Sequence, residues 1–141
     1  MELDKYIGVL VHRADLKLSN YYQKTVNPFD ITIDQWEILV VLWDHEGITQ
    51  KELAERLYKD QTNVARMLFK LENKGFIQRQ IHETDRRALR VYLTDKGHAV
   101  KDDILEISIQ AYQRTIAGLT EEEVDQFRRT LSIIHDNVKD L

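Results

Sequence analysis

Gln61, Thr62, Asn63, Arg66 and Lys70 carry the most informative chemistry in this chain of 141 residues. Asp60 stands before them as a helix cap. A helix from Gln61 to about Lys74 turns these five side chains outward, opposite a core face of Val64, Met67 or Leu68, and Leu71. Gln and Asn can bond an adenine edge in two places, Arg can do the same with guanine, and Thr can pack on a thymine methyl. The helix N-terminus adds a dipole that favours phosphate. A plain solvated helix face would also be polar, so these residues alone leave both readings open. Phe69 has no role in either, since it stands where a polar residue is expected.

Other reactive side chains are sparse. The five histidines are His12, His45, His82, His98 and His135, and no two lie at i, i+4. His98 and Asp102 have ligand-compatible spacing, and His45 lies between Asp44 and Glu46, but no dense ligand set forms. There is no cysteine, which excludes disulfides, thiolate metal sites and thiol redox switching within the chain. There is no Gly-rich phosphate loop, no nucleophile elbow and no His-Glu-x-x-His. No catalytic residue, no metal site and no cofactor is therefore assigned, and an enzyme is not expected.

The background composition suits helices. Five glycines and one proline leave little material for many tight turns. With 43% hydrophobic and 31% charged residues, the length fits one globular domain or a domain with an interaction arm. No apolar run approaches the roughly 20 residues of a membrane span. The N-terminus lacks the basic and apolar regions of a signal peptide, so a cytoplasmic protein without membrane partners is expected. Net charge is −4, yet it is unevenly spread. Residues 1–48 carry 4 basic and 8 acidic side chains, residues 49–96 carry 11 and 7, and residues 97–141 carry 5 and 9. A basic centre between acidic flanks suits a polyanion-contacting core, although ordinary surface charge gives the same tally.

Several elements must position the Gln61–Lys70 face. Leu3, Ile7, Leu10, Ala14, Leu18 and Tyr21 recur at helical steps, and the stretch stops before Asn27-Pro28. Thr32-Ile-Asp-Gln35 is a capping box opening a helix with Trp36, Leu39, Val40 and Trp43, widened by Ile38 and Leu42 and stopped at Glu46-Gly47. Thr49-Gln-Lys-Glu52 reads as a second capping box, opening a short helix, Lys51 to Leu57, with Leu53, Ala54 and Leu57 inward. A break at Tyr58-Lys59 leads into the Gln61 helix, which Gly75 ends. Phe76–Ile81 and Arg90–Leu93 have strand composition and flank the charged run His82–Arg87, giving a hairpin. From Thr94 one long helical stretch is expected through Gly118. Thr120-Glu-Glu-Glu123 then caps a last helix whose Val124, Phe127, Leu131, Ile134, Val138 and Leu141 make a heptad seam.

Two short helices followed at once by a hairpin with Arg86 and Arg87 at its tip have the order of a winged helix. The second helix then enters a major groove, and the hairpin reaches a neighbouring groove or the backbone. Gly47-Ile-Thr-Gln-Lys-Glu-Leu-Ala54, Leu71-Glu-Asn-Lys-Gly-Phe-Ile77, Arg79, and the run Asp85-Arg-Arg-Ala-Leu-Arg-Val-Tyr-Leu-Thr94 with Gly97 are specific. On these residues the chain resembles the MarR family of bacterial winged-helix regulators, essentially over its whole length.

The resemblance implies a mainly α fold with a small β-hairpin: a winged helix-turn-helix at 29–94, with terminal regions 1–28 and 95–141 forming a helical dimerisation layer. It implies a homodimer that binds double-stranded DNA at an inverted-repeat operator, most often as a repressor. Arg87 of Asp85-x-Arg87 would enter the minor groove with Asp85 holding it; alternatively the pair only stiffens the loop. Family members often bind aromatic acids, which makes His12, Arg13, Trp36 and Trp43 candidates for a small-molecule effector site. The competing assignment puts both tryptophans in the core and Arg13 in a salt bridge across the dimer. A different class, a winged-helix protein-interaction module without DNA binding, predicts no salt-dependent duplex binding.

Overall fold

The computed structural model describes residues 1–81 and 88–141. In chain order, a 3-10 turn at Leu3–Lys5 precedes α1 (Ile7–Val26), and a second at Asn27–Phe29 precedes α2 (Ile33–Asp44). Next come α3 (Gln50–Leu57), α4 (Gln61–Asn73), β1 (Ile77–Ile81), β2 (Leu89–Leu93), α5 (Asp95–Ala99), α6 (Lys101–Thr115) and α7 (Glu121–Val138). The chain forms two compact units, Met1–Ser108 and Ile109–Leu141.

The first unit gathers its apolar faces into one core. Ile38, Leu39 and Leu42 of α2, Leu53 of α3, Val64, Leu68 and Leu71 of α4, and Val91 of β2 are wholly buried, as is Ile104 of α6. On α2 the buried ridge is therefore Ile38, Leu39 and Leu42, while Trp36, Val40 and Trp43 lie at its half-buried margin. The second helix of the pair buries Leu68 completely and Met67 partly.

Local signals set the helix boundaries. The Thr32 hydroxyl accepts from Gln35 N and the Gln35 side chain accepts from Thr32 N, both at 3.1 Å. Buried Gln35 also receives Lys74 Nζ at 2.9 Å, which ties the end of α4 to the start of α2. Thr49 caps α3 by accepting from Glu52 N at 3.1 Å, one half of the capping box that its sequence pattern suggests. Gly75, at φ +84°, takes the left-handed conformation that closes α4. Tyr58 takes the same region at φ 54° and turns the chain between α3 and α4.

The strands β1 and β2 pair antiparallel, from Ile77 opposite Leu93 to Ile81 opposite Leu89. Beyond the hairpin, Gly47 N donates to Val91 O at 2.8 Å and Val91 N donates to Ile48 O at 2.9 Å. A bridge between Thr49 and Arg90 completes this small third rung. The loop before α3 is thus stitched to β2, a pairing that no alternation in residues 47–49 announces.

The long stretch expected from Thr94 to Gly118 is interrupted. Helix α5 ends at Ala99 and α6 begins at Lys101. Trp43 Nε1 donates to Gly97 O at 3.0 Å, the carbonyl to which Lys101 N–H would donate in an unbroken helix. Gly97 itself fits because it has no side chain: a Cβ there would lie 2.2 Å from Phe76 O.

In the second unit, Thr120 and Glu123 form a complete capping box at the start of α7. Hydrogen bonding to Thr120 holds the Glu123 carboxyl below the usual glutamate range. Arg128 donates to the Tyr112 hydroxyl and lies beside that ring. No residue of α7 is buried, and Phe127 and Val138 are 58% and 57% exposed.

Candidate nucleic-acid interface

Helix α4 holds the outward-facing set. Asp60 Oδ1 accepts from Asn63 N at 2.8 Å, which satisfies one of the unpaired donors at the helix start. Burial of Val64, Leu68 and Leu71 turns the opposite side of the helix to solvent. Gln61, Thr62, Asn63, Arg66 and Lys70 are all exposed, so the five residues proposed from the sequence do share the outer surface of one helix. Neither Arg66 nor Lys70 has an ion-pair partner among the described residues, which leaves two cations uncommitted on this surface. Asn63 differs from its neighbours. Its Nδ2 donates to Asp60 Oδ2 at 2.7 Å, so the amide reinforces the cap and must exchange that bond before it can read a base.

The turn before α4 is anchored independently. Lys59 Nζ donates to Asp34 Oδ1 at 2.6 Å and sits 3.3 Å from Glu37 Oε2, so the helix-turn-helix linker is fastened to α2. Burial opposes the lysine charge, but the hydrogen bond to Asp34 and the charges of Glu37 and Asp34 outweigh it and raise the pKa. At the far end of α4, Glu72 accepts from Arg79 N and Nη2, at 3.2 and 3.3 Å, and locks the helix to β1. On β2, Arg90 Nη1 donates to Gly47 O at 2.8 Å. Arg79 and Arg90 thus serve the frame. Asp85, Arg86 and Arg87 lie outside the described residues.

The tentative ligand residues do not converge. Trp36 Nε1 donates to Ser108 Oγ at 2.9 Å and Trp43 Nε1 to Gly97 O, while both rings pack on the core. His12 is exposed on α1. Arg13 pairs with Asp4 at 2.6 Å and borders an open groove of about 730 Å³. The other lining residues are Leu16, Lys17, Ser19, Asn20, Gln23 and Ile33. The spacing of Arg13, Leu16, Asn20 and Gln23 along one face of α1 was the signal available for that groove. His98 Nε2 lies 3.2 Å from Glu46 Oε1, which also accepts from Leu93 N at 3.0 Å, so this pair secures the base of β2.

Helices α2 to α4, the hairpin, and the short pairing of residues 47–49 with β2 define a winged helix-turn-helix protein. Residues 31–89 match the MarR family. The chain is 27% identical over 135 residues to the organic hydroperoxide resistance transcriptional regulator of Bacillus subtilis (strain 168), covering 96% of this chain and 88% of that protein. A mutant MarR from E. coli complexed with operator DNA superimposes with a TM-score of 0.84 at 28% identity, covering 91% of this chain and 92% of that one. The S. aureus MepR–DNA complex, 24% identical, shares the fold at a TM-score of 0.87 over 97% of this chain and 99% of that one. Residues 31–89 thus carry a MarR-family domain, in a chain similar along most of its length to transcriptional regulators.

Proposed function

We propose that the protein is a homodimeric, sequence-specific DNA-binding repressor that recognises an inverted repeat. The observation that carries this reading is the outer surface of α4, where Thr62, Arg66 and Lys70 stand exposed above a wholly buried Val64–Leu68–Leu71 ridge. Likeness to an operator-bound MarR supports it. In this reading, residues 29–94 bind DNA, with α4 in the major groove and Arg87, backed by Asp85 and Arg86, at the minor groove. Regions 1–28 and 95–141 form the dimer. Exposed apolar residues support that assignment: Leu3, Ile7 and Leu10 at the start of the chain, and Phe127, Ile134 and Val138 in α7. A monomer would leave these surfaces in water, and a partner copy removes them.

Repression works by mutual exclusion. Two recognition helices must sit about 34–36 Å apart to meet successive major grooves on one face of the duplex. An aromatic or anionic effector that prefers another spacing lowers DNA affinity by that difference in binding energy. Of the four residues proposed from the sequence, Arg13 alone lines the groove on α1, where Lys17 supplies a second cation.

The test is capture of genomic fragments by the purified protein, followed by sequencing. An enriched inverted repeat, bound with a steep salt dependence, is the expected result. Absence of any enriched duplex overturns the reading in favour of a protein-interaction module.

A further inference from the structure

Phe69 lies on the recognition helix, is 54% exposed, and takes no part in the core. An exposed phenylalanine is ordinary on a protein surface. Its register is less so. Thr62, Ala65, Arg66 and Phe69 stand at i, i+3, i+4 and i+7, which places them on one face of α4. Val64, Leu68 and Leu71 occupy the opposite face. The recognition helix of a homeodomain reads base edges from this same four-position pattern, spread over two turns and about 10 Å of helix. Phe69 therefore sits two turns along the line that begins at Thr62.

A phenyl ring has no hydrogen bond to offer a base edge. What it can do in a major groove is cover the one apolar group there, the C5-methyl of thymine. Ala65, one turn before Phe69, adds a methyl of its own to the same strip, while Arg66 beside it supplies the polar contact. A polar residue at position 69 would compete for donors and acceptors; an aromatic ring instead excludes water from the methyl and rejects cytosine, which has none.

We propose that Phe69 is a specificity-determining residue that selects thymine in each half-site by packing on its 5-methyl group. The inference rests on the placement of α4 in the major groove. The experiment uses the full-length protein and an operator duplex obtained by fragment capture. Deoxyuridine replaces thymine at one symmetric pair of positions at a time, which deletes the methyl and keeps the pairing. Wild type, Phe69→Ala and Phe69→Leu are titrated against each duplex, with circular dichroism confirming the fold of each variant.

For the wild type, one symmetric pair of substitutions should weaken binding by about fourfold per half-site, the worth of one buried methyl. Phe69→Ala should bind the thymine operator more weakly and be indifferent to uracil at that pair alone. Phe69→Leu should keep part of the discrimination. Equal uracil sensitivity in wild type and Phe69→Ala at every position would overturn the assignment, as would unaltered operator binding by Phe69→Ala. Thr62→Ala and Arg66→Ala separate the two levels of inference. If both weaken operator binding while Phe69→Ala shows no coupling to the methyl, the groove placement stands and the role of Phe69 falls. If neither matters, the groove placement itself fails, and the role of Phe69 with it.

Discussion

Lys59 shows how one side chain in a helix-turn-helix linker can be both structural and titratable. Folding raises its pKa, so its contribution to stability is fully present below the ordinary value of 10.5 and is lost as pH rises through the native one. Lys59→Met should lower the urea midpoint at pH 8, and the gap from wild type should narrow towards pH 11. A gap independent of pH would show that the Asp34 and Glu37 pairing contributes nothing. The arginines are expected to divide by role. Arg66→Ala should cost about 1–3 kcal/mol on the cognate duplex and little on random DNA, as for a side chain that reads a base edge. Arg87→Ala should weaken both duplexes alike and reduce the salt slope by about one unit, because a minor-groove cation discriminates weakly between sequences. Titration of both variants at several salt concentrations reads the difference directly.

At the scale of elements, two small residues govern how the core helices join the hairpin. Thr32 opens α2 with a reciprocal cap, and Gln35 in that cap also receives Lys74 from the end of α4. Thr32→Ala should cost about 1 kcal/mol in denaturant unfolding, the usual worth of an N-cap hydroxyl. Gly97 has a different task. It lets α5 press against the backbone at Phe76 and leaves its own carbonyl to Trp43. Gly97→Ala should destabilise by about 1–3 kcal/mol or more, since the added methyl meets a backbone carbonyl that cannot rotate aside. A midpoint unchanged in Gly97→Ala would show that the strand-to-helix corner yields more easily than this packing implies.

For the whole molecule, the unpartnered apolar surfaces are the governing feature. Truncation after Gly118 removes α7 and its seam. The product should be monomeric or aggregating in analytical ultracentrifugation, and a soluble, fully dimeric truncated protein would remove α7 from the interface. Absence of cysteine shapes a second expectation at this scale. Although the chain resembles a regulator of organic hydroperoxide resistance, peroxide has no thiol here to oxidise, and Met67 is the methionine packed against the core. Mild hydrogen peroxide should not release DNA in a way that thiol reductant reverses.

Local chemistry made much of this protein legible without coordinates. Capping residues at Thr32, Thr49, Asp60 and Thr120 marked four helix starts, because a side chain that satisfies a free N–H two or three residues on needs nothing from the rest of the fold. Apolar periodicity likewise located Val64 and Leu71, and with them the outward face of α4, but left Met67 or Leu68 open between them until burial chose Leu68. Long-range hydrogen bonds were a different matter. The Trp43 bond to Gly97 that accompanies the break at Val100, the pairing of residues 47–49 with β2, and the second bond that draws Asn63 into its cap each depend on where a partner arrives in space. Periodicity carries no record of such partners. The indole donors of Trp36 and Trp43 illustrate the point: in sequence they are aromatic residues fit for a core or a ligand, and only tertiary structure supplied Ser108 and Gly97 as the acceptors that commit them.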